Sequence, residues 1–292
     1  MPVSFWNKWE PLQLKIKTDV LAELLDGGQS FRWHRQVDGT WIGIWGENVA
    51  RLSVAGDEKV LWSAPCDRAN GTAHALADYL NLSSLHDARI DALPWRSDAH
   101  LAICLDTFPG LRILRQPFGE TLLCFLCSAT KQIVQIKQMI ALLAERHGAE
   151  IAPGIHRLPT WDELARVSEI SLRACKLGFR AKHIRETAQF LAKNPGWLDT
   201  TETAPYNQAK ERLCTLPGVG EKVADCVLLF GAGRLEAFPV DTWILKTMAR
   251  RYGLDDWKPA QAAHFGRVHF GPLAGLAQQY LFAYERRAAK QI

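Results

Sequence analysis

Two hydrophobic periods divide the chain. Up to about residue 95, apolar and polar side chains alternate in short runs at 6–16, 31–37, 41–45, 50–55 and 59–63, the pattern of half-buried strands. Asp38-Gly39 and Gly56-Asp57 separate successive runs, and Asp-Gly in that position signals a hairpin. Two helical stretches sit among the strands, 19–25 (ending at Gly27-Gly28) and 71–80. From Ala99 onward the apolar spacing becomes three and four. Helices are expected over 99–108, over a long apolar pair spanning 118–147 with a break at 128–131, and over 160–167, 168–175, 180–194, 207–216, 221–230, 243–252, 259–270 and 273–289. The pattern predicts an α+β chain: an antiparallel β-sheet domain with a few helices over 1–98, then an all-helical domain over 99–292. No repeat or low-complexity linker lies between them, so the two are expected to pack directly together.

Composition narrows the possibilities only a little. A hydrophobic fraction of 48% supports a real core, and a net charge of +4 permits nucleic acid without specifying it. No apolar run approaches the ~18 residues of a membrane helix. Met1-Pro2-Val3-Ser4-Phe5-Trp6 has no secretory pattern, so a cytoplasmic protein is expected. The seven cysteines are odd in number and scattered, which reads as reduced thiols. Cys124 and Cys127 have metal-ligand spacing, but they fall in an apolar helix with no second pair and read as core.

The candidate chemistry begins at Leu213-Cys214-Thr215-Leu216-Pro217-Gly218-Val219-Gly220-Glu221-Lys222. Pro217 stops one helix and a second leaves at Glu221. Gly218 and Gly220 allow a tight turn that a side chain would obstruct, and they leave bare N–H groups at a positive helix end, a geometry that binds phosphate. Lys222 then sits where the dipole disfavours its charge, and desolvation would favour the neutral, nucleophilic amine further. Downstream, Pro239-Val240-Asp241 places an aspartate at a helix N-cap.

At these residues the chain resembles the helix-hairpin-helix DNA glycosylases, and within them the 8-oxoguanine branch. Gly28-Gln29-Ser30-Phe31-Arg32-Trp33 and Gly271-Pro272-Leu273-Ala274-Gly275 extend the likeness over most of the chain. The resemblance implies that Lys222 attacks the sugar C1′ of a damaged nucleotide, expels the base and leaves a Schiff base from which the strand is cut by β-elimination. Asp241 would stabilise the positive charge developing on the sugar and help deprotonate the amine. Relatives without this lysine only remove bases, so Lys222 implies the lyase step as well.

The resemblance further implies a base pocket from distant segments. Cys226, at i+4 from Lys222, and Phe282 would sandwich the base, Gln278 would read its Watson–Crick edge, and the Gly28 carbonyl would accept the N7 hydrogen that 8-oxoguanine has and guanine lacks. Taken alone, Cys226 and Phe282 read equally as core, Gln278 as a solvated helix residue and Gly28 as a helix cap. Phe179 would be the wedge beside the opposite base, with Arg180 touching that base, and Gly218 and Gly220 would grip phosphate. The turn carbonyls of Cys214, Leu216 and Val219 would hold a monovalent cation that bridges to DNA phosphate. No cysteine follows Asp241, which excludes the iron–sulfur cluster of some relatives. A monomer acting on damaged double-stranded DNA, without a required cofactor, is expected; its compact form suggests a bacterial, nucleoid-associated protein.

Four residues depart from the family pattern. Thr130 and Lys131 stand where members carry an asparagine run that fills the gap and pairs with the orphan cytosine. Gln135 replaces an arginine that recognises that cytosine, and Trp243 replaces a phosphate-contacting histidine. Opposite-base selectivity is therefore expected to be weaker than in typical members. Two other readings share the sequence: a glycosylase for another damaged base, such as an alkylated purine, and a non-catalytic DNA binder, since such hairpins often only grip phosphates.

Overall fold

Strands form where the alternation predicts them. In a computed structural model of the chain, which describes residues 5–82 and 85–289, β1 (Glu10–Lys15), β2 (Trp33–Arg35), β3 (Trp41–Trp45), β4 (Asn48–Val54) and β5 (Lys59–Ser63) form one antiparallel sheet in the order β1-β5-β4-β3-β2. The Asp38-Gly39 and Gly56-Asp57 turns join β2 to β3 and β4 to β5. Trp33 pairs across the sheet with Gly43, and a Cβ on Gly43 would lie 2.3 Å from the Trp33 ring, so the indole lies flat only against a glycine. Trp33 stacks on Trp45 at 5.9 Å. Helix α1 (Thr18–Asp26) packs near β2, and α2 (Ala69–Tyr79) is fastened to the sheet by the Trp33 indole N–H, which donates to the Tyr79 hydroxyl at 3.2 Å. A short α3 (His86–Asp91) has no buried side chain, and hence left no apolar period in the sequence.

The helical part runs through α4 (Ala99–Thr107), α5 (Phe118–Leu126), α6 (Ile133–His147), α7 (Trp161–Ala165), α8 (Glu169–Leu172), α9 (Arg180–Lys193), α10 (Trp197–Thr203), α11 (Tyr206–Cys214), α12 (Glu221–Phe230), α13 (Thr242–Tyr252), α14 (Pro259–Phe270) and α15 (Ala274–Ala289). Between α6 and α7 lies a small hairpin, β6 (Glu150–Ala152) with β7 (Ile155–His156). This hairpin and α10 were not foreshadowed, because both are too short to show a period. The expected helix over 168–175 is regular only as α8. It then widens into one π turn, Arg173–Leu177, with Lys176 at φ 62, and this keeps Leu172, Cys175 and Leu177 all facing inward.

Helix α12 is the centre of this part. Every residue from Val223 to Phe230 is buried, with α5 and α11 packed against it, while α15 packs on α4 and α13. Ion pairs tie α1 to the later helices. Arg286 of α15 reaches Glu23 at 3.1 Å and the Gly27 carbonyl, Arg287 pairs with Asp19 at 3.0 Å, and Lys137 of α6 bridges Asp26 and the Trp33 carbonyl, each at 2.8 Å. Among the described residues, no helix is long and apolar enough to cross a membrane.

Candidate active site

The turn between α11 and α12 is shaped by one glycine and left open by the other. Gly218 has φ 79, and a Cβ there would meet His183 Nδ1 of α9 at 2.4 Å. Gly220 differs from expectation: it is the extended N-cap of α12 (φ −96, ψ 178) with open space around it, so the turn itself does not require a glycine there. Its bareness leaves the first turn of α12 with no side-chain cap, and the N–H groups stay available to an anion. Asp225 clamps the two helices together. It accepts from the Tyr206 hydroxyl at 2.7 Å and from Lys210 at 3.1 Å, and Lys210 also lies 3.5 Å from Glu221. Burial raises the Asp225 carboxyl against the pull of Lys210. Sequence reading missed this clamp; its only signal is an acid on the otherwise apolar face of α12.

Lys222 lies in the first turn of α12, half-buried, its ammonium 5.3 Å from the centre of the Phe125 ring. Phe125 is stacked on Phe230 at 5.6 Å and meets Phe31 edge-on at 5.5 Å, giving the lysine an aromatic floor that sequence reading did not anticipate. One turn along, Cys226 is buried; burial pushes its thiol up to about 11 despite the nearby Lys222 ammonium, so it is a neutral thiol at physiological pH. Asp241 caps α13. Its Oδ1 accepts from the N–H groups of Trp243 (3.0 Å) and Ile244 (2.9 Å), which leaves Oδ2 for another partner. Burial raises its carboxyl above the ordinary range, opposed by the Ile244 N–H, by Lys222 and by the Trp243 N–H. Asp241 thus senses the charge of Lys222 across a partly desolvated space.

Of the other residues expected in the pocket, the structure brings Gly28 against Phe282 from opposite ends of the chain and Gln278 against Pro239. Gly28 has φ +103, and a Cβ there would lie 3.3 Å from Ile133 Cδ1 and 3.6 Å from the Phe282 ring. The next residue pins the loop. Gln29 donates to the Arg112 carbonyl at 2.9 Å and accepts from the Leu114 N–H at 3.0 Å, and its own carbonyl accepts from Gln116 at 2.7 Å. A rigid Gly28 carbonyl follows from this. On α15, Arg286 lies 5.4 Å over the Phe282 ring. Gln278 is buried, not solvated. Its Nε2 donates to the Pro239 carbonyl at 3.1 Å, two residues from Asp241, while Oε1 is buried with no partner. One amide hydrogen is therefore already committed, and the carbonyl oxygen is left without a hydrogen bond inside the protein.

Facing the expected DNA side, Phe179 is 53% exposed and meets His183 edge-on at 5.8 Å. Thr130 and Lys131 are exposed on the turn between α5 and α6. Gln135 is exposed, and its side-chain carbonyl accepts from the Gln132 N–H at 3.3 Å. Trp243 projects beside Asp241 with Lys246 5.9 Å from its ring. Arg180, expected to face the opposite base, is instead only 3% exposed and turned inward. It donates to the carbonyls of Leu177 (3.2 Å) and Ala129 and to the Thr130 hydroxyl (3.2 Å).

Residues 12–122 match the 8-oxoguanine DNA glycosylase N-terminal domain, and residues 123–267 match the HhH-GPD superfamily base excision DNA repair protein. The chain is 34% identical over 303 residues to the N-glycosylase/DNA lyase OGG1 of Arabidopsis thaliana, covering 98% of this chain and 82% of that protein. The chain belongs to the 8-oxoguanine DNA glycosylase family. Within the family, it superposes on the 8-oxoguanine glycosylase/lyase of Clostridium acetobutylicum, solved with double-stranded DNA containing cytosine opposite 8-oxoguanine, with a TM-score of 0.85 at 31% identity over 98% of this chain and 100% of that one. The 3-methyladenine DNA-glycosylase of Archaeoglobus fulgidus, at 18% identity and a TM-score of 0.75 over 96% of this chain and 99% of the other, shares the fold alone. The join between the two matched regions falls inside α5, so the family division does not follow the change of hydrophobic period before α4.

Proposed function

We infer that this chain is a bifunctional 8-oxoguanine DNA glycosylase and abasic-site lyase acting on duplex DNA. The observation that carries the inference is the placement of Lys222 on an aromatic floor, one turn from Cys226 and acting on a raised Asp241, with Gly28, Gln278 and Phe282 drawn from two other segments. In the reaction, the Lys222 ammonium gives up a proton, and the amine forms a bond to C1′ as the glycosidic bond breaks and the purine leaves, taking up a proton. Ionised Asp241 opposes the positive charge that grows on the sugar, an effect strengthened by exclusion of water. Opening of the sugar yields the Schiff base, and loss of a C2′ proton then expels the 3′ phosphate. The Gly28 carbonyl accepts N7–H of 8-oxoguanine and faces a lone pair on guanine, so an unmodified base loses a bond and meets repulsion.

A monovalent cation on the hairpin belongs to the same proposal. The Leu216 carbonyl accepts the Val219 N–H at 3.1 Å, while those of Cys214 and Val219 receive no backbone hydrogen bond among the described residues, which suits oxygen ligation by a hard cation. Since all these groups lie in one chain, we propose that it acts as a monomer.

Borohydride trapping on a duplex with one 8-oxoguanine opposite cytosine tests the inference, with Lys222→Gln alongside. A covalent protein–DNA adduct from the wild type alone is expected. No adduct from either protein, on this duplex or on one with a preformed abasic site, rejects the lysine mechanism. Because Thr130 and Gln135 supply neither asparagine nor arginine to an orphan cytosine, excision rates opposite the four bases should differ less than in family members that carry both. A cytosine preference equal to such a member's would refute that part.

A further inference from the structure

In the reading above, the Gly28 carbonyl separates 8-oxoguanine from guanine. A glycine has no side chain to anchor it, so its neighbours must hold it. Gln29 does so on one side. On the other side lies the carboxyl end of α1, whose last turn holds no basic residue, although a helix leaves its final carbonyls unpaired and partly negative there. The cation comes from α15. Arg286 donates through Nη1 to the carbonyl of Gly27, the C-cap of α1, and to Glu23 Oε1 at 3.1 Å, and both side chains are largely buried. A Cβ on Gly27 would fall 2.0 Å from the Glu23 carbonyl oxygen and 2.4 Å from its Oε1, so acid and guanidinium close directly on bare backbone.

The same guanidinium lies 5.4 Å from the centre of the Phe282 ring. Gln278, Phe282 and Arg286 recur every four residues along α15 and share one stripe of the helix. The Phe282 ring in turn comes within 3.6 Å of where a Cβ on Gly28 would stand. Arg286 therefore meets both sides of the expected pocket: the ring on which the base lies, and the peptide beside the carbonyl that tests N7. A planar guanidinium can bond within its plane and still offer a face to a ring, whereas an ammonium cannot. Its Nη1 is committed to protein oxygens, so Arg286 acts through these groups.

We propose that Arg286 is a positioning residue for lesion recognition, which sets the Phe282 ring and the Gly28 carbonyl at the separation that fits 8-oxoguanine without itself touching the base. The proposal rests on the reading of Gly28 and Phe282 as the base pocket. That separation matters only while a base occupies the gap. Once the base has gone, the Schiff base and the β-elimination involve Lys222 and the sugar, so strand cutting at a preformed abasic site bypasses Arg286.

Single-turnover excision of 8-oxoguanine opposite cytosine over a range of protein concentrations, and strand cutting at a preformed abasic site in the same duplex, test this on full-length wild type, Arg286→Met, Arg286→Lys and Phe282→Ala. Arg286→Met removes the bonds and the charge. Its saturating excision rate should fall about 10- to 100-fold, since a misplacement of about 1 Å has effects of that order, while its half-saturating concentration and its abasic-site cutting stay within about twofold. Arg286→Lys keeps a donor for the Gly27 carbonyl and should lose less. Should Arg286→Met not fold, the split between excision and cutting in Arg286→Lys decides. An equal fall in excision and abasic-site cutting would mean that Arg286 only supports the fold, and would overturn the proposal. Unchanged excision would overturn it too, as would a loss confined to the half-saturating concentration, which would assign Arg286 to duplex binding. Full excision by Phe282→Ala would instead remove the pocket reading, a failure separate from that of Arg286.

Discussion

Replacing Gln278 with methionine should separate stability from activity. The side chain is 5% exposed, and truncating a buried, hydrogen-bonded polar residue is ordinarily destabilising. Here two terms oppose each other. The substitution removes the 3.1 Å bond to Pro239 and leaves that carbonyl unpaired, but it also removes Oε1, which is already buried without a partner. Each orphaned buried group costs about 1–3 kcal/mol, so one orphan is exchanged for another and the net change should stay within about 1 kcal/mol. In a chain of this size that is a shift of roughly 2–4 °C in Tm. Loss of a two-point contact to a base edge removes about 1–3 kcal/mol of recognition, or roughly 5- to 150-fold in excision rate. Thermal melting and single-turnover excision on the same preparation test both halves. A Tm drop of 10 °C or more would show that Gln278 is chiefly structural, and unchanged excision would show that it does not touch the base; either result refutes the reasoning.

Other substitutions probe the rest of the site. Asp241→Asn keeps an acceptor for the Trp243 and Ile244 N–H groups but removes the charge, so excision should fall by about a hundredfold or more in a single-turnover assay. Because burial raises the Asp241 carboxyl in the fold, its stabilising contribution is present below the ordinary value of 3.8 and is lost as pH rises through the raised value. Asp241→Asn should therefore melt higher than wild type at neutral pH, with the advantage vanishing below that ordinary value; an advantage that instead grows on acidification would contradict the assignment. Asp225→Ala strands Lys210 and Tyr206 across the hairpin. With the two charged side chains only 2% and 15% exposed, a loss of about 3–5 kcal/mol and on the order of 10 °C in Tm is expected from calorimetry. The two hairpin glycines should respond in opposite ways. Gly218→Ala forces a Cβ to within 2.4 Å of His183 and should lower Tm, whereas Gly220→Ser should leave Tm level or raise it slightly by capping α12, yet weaken duplex affinity in a salt titration because its hydroxyl competes with phosphate for the N–H groups.

Local patterns determined most of the architecture. The alternation at β3 and β4, the Asp-Gly turns, the Asp241 cap and the Gly253 stop are all short-range effects, readable because backbone conformation and the inward face of one element depend on residues a few positions apart. Lys222 and Asp241 were legible for the same reason, each marked by the helix end it occupies. The side-chain environments were not, because they are built by contacts between residues far apart in sequence. Whether Gln278 is solvated or buried depends on Pro239, and the freedom of the Gly28 carbonyl depends on Gln29 meeting residues 112–116. Arg180 shows the limit most plainly. A charged residue beside an exposed phenylalanine looks from sequence like a hand held out to DNA. It is turned inward because two carbonyls and a hydroxyl, brought together only by the packing of α9 against the α5–α6 turn, accept from both terminal nitrogens of its buried guanidinium, although Nε is left without a partner.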